Sequence, residues 1–575
     1  MEQSGADTGG DVRPAALGSG LVIELDRHQA RAVLFASVEG QGRFIASAVT
    51  ASTALPPIDD ASVGVKQAIR DIEEQTGQSL MGADGVQLPP SEDIGVNYLA
   101  TTGQPAPPVR LTVLATGASP VATALVAAAR RAISVVDVVG AEVRTAEGNL
   151  TAAALEQRVR DFRPDSVVLA EGESAEAEWS TAAGTLAALV QEGMLSQIII
   201  VAREHFQQIA AQVFGEHADL RGIDPSEFST PEIAAALETE LNTLYEGRLD
   251  ARSTIASTVP ARFVSLVRAG DLVTRFVARR RNISVVSVSA GDGTLVHRAT
   301  AETGDTIVRS EFDLTHNVRG ALRLDPRAIA HWLPFTLSTE DITHWVLNRA
   351  LRPFSVAGSP RDAAIESALL TAFVREMGGA DADAAVNLII GGRPTGGWRS
   401  PGLAVFALLN AVQPAPQSGL VEVVLDVDGL LPAAGALGEQ SPALAADAVE
   451  LDLLRPTATV IVVTGSGSEG DLAVRGQLRH GDGEAVRFTV PYGSIHQLPL
   501  PDDQQATLTL SCEPRFNIGA HPSADEVVFG STTPLLGSEL GLIIDARGRP
   551  LSAVSDPTLQ AARVASWLED LGFRV

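Results

Sequence analysis

The sequence predicts an α/β protein in which one lobe is built twice, with a small β-rich domain appended at the C-terminal end. Three observations predict it. Residues 20–53 read as three short strands, and residues 282–311 repeat the same strand–loop–strand–turn–strand order. From 109 to 214, strand-like and helix-like segments alternate, as in a parallel sheet with helices on its faces. From about 456 the texture changes to short alternating strands.

Taken in order, residues 1–19 carry acids and no apolar signal-peptide core, and are expected to form a disordered tail. LVIEL (21–25) opens the first lobe, followed by a polar break, ARAVLF (30–35), a turn at Gly40-Gln41-Gly42, and RFIASAV (43–49). A helix is expected at 61–75, where Val63, Val65, Ala68, Ile69 and Ile72 recur at helical spacing. The alternating region supplies strands at 111–115, 133–139, 166–170 and 197–202, with helices at 120–132, 151–161, 175–193 and 203–214. Its uncharged run Leu111–Ala129 is not read as a membrane span, because Ser119-Pro120 starts a helix after a strand. Two further helices are expected at about 230–246 and 260–279.

The second lobe opens with ISVVSV (283–288), a Gly-rich break, LVHRA (295–299) and TIVRSEF (306–312). Helices dominate 317–377; a buried strand at 385–390 ends in GGRPTGG (391–397), and a helix starts near Pro401. Strands at 458–464, 472–479, 485–491, 505–511 and 525–530 precede a terminal helix at about 557–571. The resulting domains are a tail at 1–19, a first lobe at 20–279, a second lobe at 280–455 and a β-rich domain at 456–575.

Composition narrows the function. The 575 residues hold 43 basic and 70 acidic side chains, a formal charge of −27. That balance argues against a nucleic-acid-binding surface and against docking on anionic lipid. Lys66 is the single lysine, so the remaining basic residues are all arginine. A P-loop and a protein kinase both need a lysine on phosphate. Lys66 fits neither, and falls on the polar side of its helix rather than in a Schiff-base site. Cys512 is also single, which excludes an intrachain disulfide and a Cys-rich zinc site. It reads as a small core residue of a cytoplasmic protein.

Other motifs fail on context. Gly465-Ser466-Gly467-Ser468-Glu469-Gly470 matches a dinucleotide fingerprint, but a strand-like segment follows where a helix is needed, so a hairpin loop is expected. Asp26-Arg27-His28 begins like the D-x-H-x-x-G element of cobalamin-binding modules, but Arg31 replaces its glycine. His331, His344 and His496 sit beside Trp or Ile and read as packing residues, and no G-x-S-x-G elbow occurs.

Two breaks and one turn remain as candidates: Glu24 to Ala30, Ser287 to Thr294, and Gly391 to Gly397. In a duplicated actin-like (RNase H-like) fold, each lobe turns a tight loop against nucleotide phosphates, with backbone N–H groups facing the oxygens. An aspartate on each first strand organises Mg²⁺. Read as bare spacing, the same segments are hairpin and strand-to-helix turns.

In order along the chain, these segments resemble the MutL-type proteins associated with adenosylcobalamin-dependent glutamate mutase, a family unrelated to mismatch-repair MutL. LVIELD, RPDSVVLAEG (163–172), SVVSVSAGDGTL (284–295), LIIGGRPTGG (388–397), VPYGSI (490–495) and LGLIIDARGRPL (540–551) carry the resemblance over nearly all of 20–570. It implies an actin-like ATPase fold and an accessory, chaperone- or reactivase-like role toward a protein partner, a cobalamin-dependent mutase, with Mg-ATP as cofactor. The implied nucleotide-binding positions are Glu24, Asp26, Arg27, His28, Ser287, Ser289, Gly291, Asp292, Gly293, Thr294, Gly391, Gly392, Gly396 and Gly397, with Glu24 and Asp292 as Mg²⁺ ligands.

The loops depart from the family pattern. Asp26 and Arg27 stand where Gly and Ser are expected, Ser287 replaces the second aspartate and Ser289 a glycine, and Asp292 is available only in a shifted register. Glu171-Gly172-Glu173 stands where the first lobe should carry two glycines, and Arg393 and Pro394 enter the second lobe's turn. A carboxylate about 4 Å from a phosphate oxygen costs roughly 4 kcal/mol at an effective dielectric near 20, about a thousandfold in affinity. The sequence therefore predicts a pseudo-ATPase that binds a partner. The alternatives are an active Mg-ATP-dependent reactivase and an actin-like small-molecule kinase.

Overall fold

The computed structural model describes residues 18–26, 28–54, 57–58, 60–91, 94–103, 107–130, 132–140, 143–145, 150–173, 176–250, 262–353, 355–378, 385–481, 483–521, 526–551 and 554–575. Arg27 and all but the last two residues of the expected tail lie outside the described residues, and Ser19 already belongs to the first strand. The chain forms two compact units.

The first unit draws on Met1–Gly103, Thr254–Ser265 and Pro432–Leu453. Its sheet contains, in chain order, the strands Ser19–Leu25, Gln29–Val38, Gln41–Ala51, Tyr98–Gly103 and Arg262–Ser265, arranged 3-2-1-4-5. The first three are antiparallel neighbours; the fourth and fifth run parallel to the first. LVIEL is buried throughout, as a central strand covered on both faces should be.

The helix Ala61–Thr76 starts where Asp60 accepts the Ser62 N–H at 2.9 Å and stops at Gly77. It buries Val65, Ala68, Ile69 and Ile72, each large aliphatic contributing about 1.5–3 kcal/mol. Val63 is 49% exposed instead, and buried Ser62 and Gly64 take the inner face. Residues 262–265, expected as the start of a helix, form the fifth strand, and the helix begins at Leu266. The segment Pro442–Leu453 covers the third strand: Asp452 accepts from Arg43 Nη2 at 2.6 Å and from the Phe44 N–H at 2.8 Å, and Asp447 from the Gly42 N–H at 3.2 Å.

The second unit holds the alternating region and the second lobe. The strands Val109–Thr116, Ser134–Val139, Ser166–Glu171, Gln197–Val201 and Asp219–Ile223 form their own all-parallel sheet. Leu111–Ala129 is split as expected, with Ser119 capping the helix Pro120–Ala129. Among the described residues no helix is long and apolar enough to cross a membrane.

The second lobe repeats the 3-2-1-4-5 order with Val285–Ser289, Thr294–Ala299, Gly304–Arg309, Leu388–Gly391 and Leu420–Leu425, in the same relative directions. The duplicated actin-like lobe is thus present twice. Behind this sheet the helices Pro360–Glu376 and Pro401–Val412 are buried along most of their length, and Phe312 stacks on Phe373 at 4.9 Å.

The β-rich C-terminal segment is joined to this lobe through its sheet. Arg455–Gly465, Leu542–Asp545 and Ile495–Leu498 continue the sheet beyond Leu420–Leu425. Leu472–His480, Ala485–Pro491, Gln505–Cys512, Val527–Phe529 and Leu535–Leu536 form a separate sheet. The compact units therefore divide differently from the boundaries read in sequence. They part at Ser265/Leu266 rather than 279/280, 104–253 packs with the second unit, and Pro432–Leu453 packs with the first.

Candidate functional site

The repeated topology supplies a register for comparing the two hairpins. On each fourth strand a glycine faces the first strand: Gly103 opposite Leu25, and Gly391 opposite Val288. One residue earlier, Glu24 lies opposite Thr102 and Ser287 opposite Ile390. Glu24 and Ser287 therefore hold equivalent positions, and so do Asp26 and Ser289. Asp292 is not the counterpart of Glu24. It sits in the turn after the strand, where Gly293 adopts the left-handed φ of +85° that such a turn requires. The proposed Mg²⁺ pair of Glu24 and Asp292 thus draws on inequivalent positions in two different compact units.

In the first unit, the hairpin loop between Leu25 and Gln29 is held by its own carboxylate. Asp26 Oδ1 accepts the N–H groups of His28 at 2.5 Å and Gln29 at 2.6 Å, and the Asp26 N–H donates to the Gln29 carbonyl at 3.0 Å. Loop amides of this kind would face a phosphate; here a carboxylate already occupies them. His28 is exposed and Glu24 is buried at 5% exposure.

In the second unit, the loop Ala290–Gly293 is held from a neighbouring segment. Asp313, fully buried, accepts the Gly293 N–H at 3.2 Å, the Thr315 N–H at 2.8 Å, the Asn317 N–H at 2.7 Å and Asn317 Nδ2 at 2.8 Å. Burial raises its carboxyl above the ordinary range, opposed by the Asn317 and Thr315 donors. Thr315 Oγ1 donates to the Gly291 carbonyl, and Thr294 Oγ1 to the Phe312 carbonyl at 2.8 Å.

The third segment packs against this hairpin. The Ala290 N–H donates to the Arg393 carbonyl at 2.6 Å, and the Gly392 N–H to Val288 at 2.8 Å. Gly396 and Gly397 donate to Gly392 and Pro394 within the turn itself, at 2.9 and 3.0 Å. Arg393 Nε folds back onto the Gly429 carbonyl at 2.9 Å. Gly396 is obligatory, since a Cβ there would lie 2.0 Å from the Asp426 carbonyl oxygen. Asp426, also buried, accepts the N–H groups of Leu430 and Leu431 at 2.8 and 3.0 Å.

The structure thus brings Ser289, Gly291, Asp292, Gly293, Gly391, Gly392, Gly396 and Gly397 together in one unit, with Glu24, Asp26 and His28 in the other. Sequence reasoning missed Asp313 and Asp426. Their local signals were D-x-T-x-N at 313–317 and D-x-D-G at 426–429, both turn-forming patterns.

Several sequence readings are settled alongside. Glu171 belongs to the all-parallel sheet and pairs with Arg203, so the first lobe's counterpart of Gly391 is Gly103. The 465–470 loop joins two strands and opens no helix. Cys512 is half-buried against the C-terminal core, and burial pushes its thiol up to about 11. Among the described residues no three His, Cys, Asp or Glu side chains are grouped to hold a metal ion.

Mg-ATP would have to displace acceptors that the loops already hold. The N–H groups of His28, Gln29, Gly293, Gly392, Gly396 and Gly397 are each given to an acceptor within the protein. Two of the three segments are closed by carboxylates, which repel a polyanion.

No protein-family model matches the sequence, and neither does any curated protein. Among solved structures, an exopolyphosphatase from Cytophaga hutchinsonii is similar at 8% identity, over 66% of this chain and 67% of that one, with a TM-score of 0.19. A Ppx/GppA phosphatase from Aquifex aeolicus shares 8% identity over 76% and 94% of the two chains, with a TM-score of 0.20. A carbohydrate kinase from Novosphingobium aromaticivorans shares 12% over 74% and 93%, with a TM-score of 0.25. Scores this low carry no argument about activity, and the fold rests on the repeated strand order.

Proposed function

We propose that this protein is an actin-like accessory factor that has lost nucleotide hydrolysis and acts by binding a partner protein. The observation that carries this reading is the internal carboxylate on each hairpin: Asp26 takes the amides of His28 and Gln29, and Asp313 takes the amide of Gly293. An actin-like lobe with these amides filled keeps the scaffold and lacks the phosphate seat. The sequence resemblance to the glutamate-mutase MutL proteins supports a cobalamin-dependent mutase as the partner, with a chaperone- or reactivase-like role in the cytoplasm.

Titration calorimetry with Mg-ATP, together with a phosphate-release assay, tests the first half. No heat of binding and no release above buffer are expected; micromolar binding with steady phosphate release would establish the active reactivase instead. Co-purification from the native host tests the second half, with the mutase expected in the eluate.

A further inference from the structure

Away from the hairpins, the second unit buries charges that do not balance. At the end of the strand Leu542–Asp545, the fully buried Asp545 accepts from Arg547 Nε at 2.9 Å and Nη2 at 2.8 Å, and from Arg549 Nη2. The two arginine side chains are 0% and 2% exposed. The Arg547 guanidinium also lies over the Trp567 ring at 4.9 Å. One carboxylate between two guanidiniums leaves a positive charge unmatched where an unpaired ion is expensive to desolvate.

The hydrogen bonds are unbalanced in the same sense. Asn410 and Gln413 stand three residues apart at the end of the helix Pro401–Val412 and are 0% and 2% exposed. The Asn410 amide oxygen accepts from Arg547 Nη1 at 2.8 Å, and that of Gln413 from the Leu551 N–H at 3.2 Å. Both partners can only donate, so neither amide can be turned over. Asn410 Nδ2, Gln413 Nε2 and Arg549 Nε are therefore left as buried donors with no acceptor among the described residues. Leaving buried donors unpaired costs about 1–3 kcal/mol each.

We propose that this cluster is a structural binding site for a small inorganic anion, chloride or phosphate, held by Asn410 Nδ2, Gln413 Nε2 and Arg549 Nε. Water would satisfy the donors and leave the charge; an anion supplies both the acceptor and the missing negative charge. The bound anion ties the segment after Asp545 to the helix that backs the second lobe's sheet.

Thermal unfolding of the full chain in sodium chloride, sodium phosphate and sodium gluconate at matched ionic strength tests the site. A saturable rise in Tm of about 3–5 °C at a hundredfold excess over Kd is expected in chloride, in phosphate or in both, and none in the bulky gluconate. Chloride alone identifies a halide-sized site, and phosphate alone an oxyanion site. Asn410→Asp keeps the acceptor for Arg547 and supplies the missing charge, so it should abolish the anion dependence; Gln413→Glu does the same from the neighbouring turn. A bromide-soaked crystal should show anomalous density against the three donors. An identical Tm in all three salts, an equal rise in gluconate, or an anion dependence that survives both variants would overturn the proposal.

Discussion

Two aspartates hold the hairpin loops, and each can be tested singly. Asp313→Asn turns one acceptor oxygen into a donor facing the N–H groups of Gly293, Thr315 and Asn317. A loss of about 2–4 kcal/mol is expected in urea unfolding, because buried donors lose their partner. Asp26→Ser works in the opposite direction. It frees two loop amides and removes a carboxylate, so Mg-ATP affinity should rise by up to about a thousandfold over the parent. Unchanged calorimetry in that variant would mean that the loop amides do not control nucleotide binding.

Glu366 gives a pH prediction. Burial pushes its carboxyl from 4.5 up to about 7, with Arg349 Nη2 at 3.0 Å acting against the shift. The folded chain keeps a proton that the unfolded chain gives up. The stabilising contribution is therefore full below 4.5 and lost as pH rises through about 7. Unfolding free energies measured across that window should fall by on the order of 2–3 kcal/mol, and Glu366→Gln should flatten the slope.

At the scale of elements, the turn 391–397 depends on close approach. Gly396→Ala should destabilise the chain by about 1–3 kcal/mol in urea unfolding, because the added methyl meets the Asp426 carbonyl and backbone has to move. The elements legible in the sequence were those whose own pattern fixes them: LVIEL with its continuous burial, the 61–76 helix with its apolar stripe, and the β/α alternation. Arg262–Ser265 was hidden because FVSLV also fits helical spacing; pairing with Tyr98–Gly103 decides it. Asp219–Ile223 was hidden because this edge strand is largely exposed and carries no buried run. The roles of Asp313 and Asp426 could not be read, since each acts on a turn that only tertiary pairing brings to it. The glycines of 391–397 and the departures at Asp26 and Ser289 were visible at once, and the register sets Asp26 and Ser289 at equivalent positions of the two hairpins.

For the whole molecule, the strand order repeated in both lobes is the strongest statement about the fold. The −27 charge bears on the proposed partner: it would approach a strongly acidic chain, so its association should slow steeply with added salt if its docking surface is basic. Stopped-flow association rates at low and physiological ionic strength would measure this, and a salt-independent rate would indicate an apolar dock.

The composition of the first unit has a consequence for synthesis. Its fourth strand ends at Gly103, its fifth arrives at Arg262, and the segment covering its third strand ends at Leu453. At about 5–20 residues per second, the ribosome takes roughly 20–70 s to pass from one end of that interval to the other. Until Arg262 emerges the fourth strand has an unpaired edge, and until Leu453 emerges the third strand is uncovered. The first lobe to be started is thus completed only after most of the second unit has been made, and a ribosome stalled before Pro432 would display its third strand as an uncovered, aggregation-prone edge.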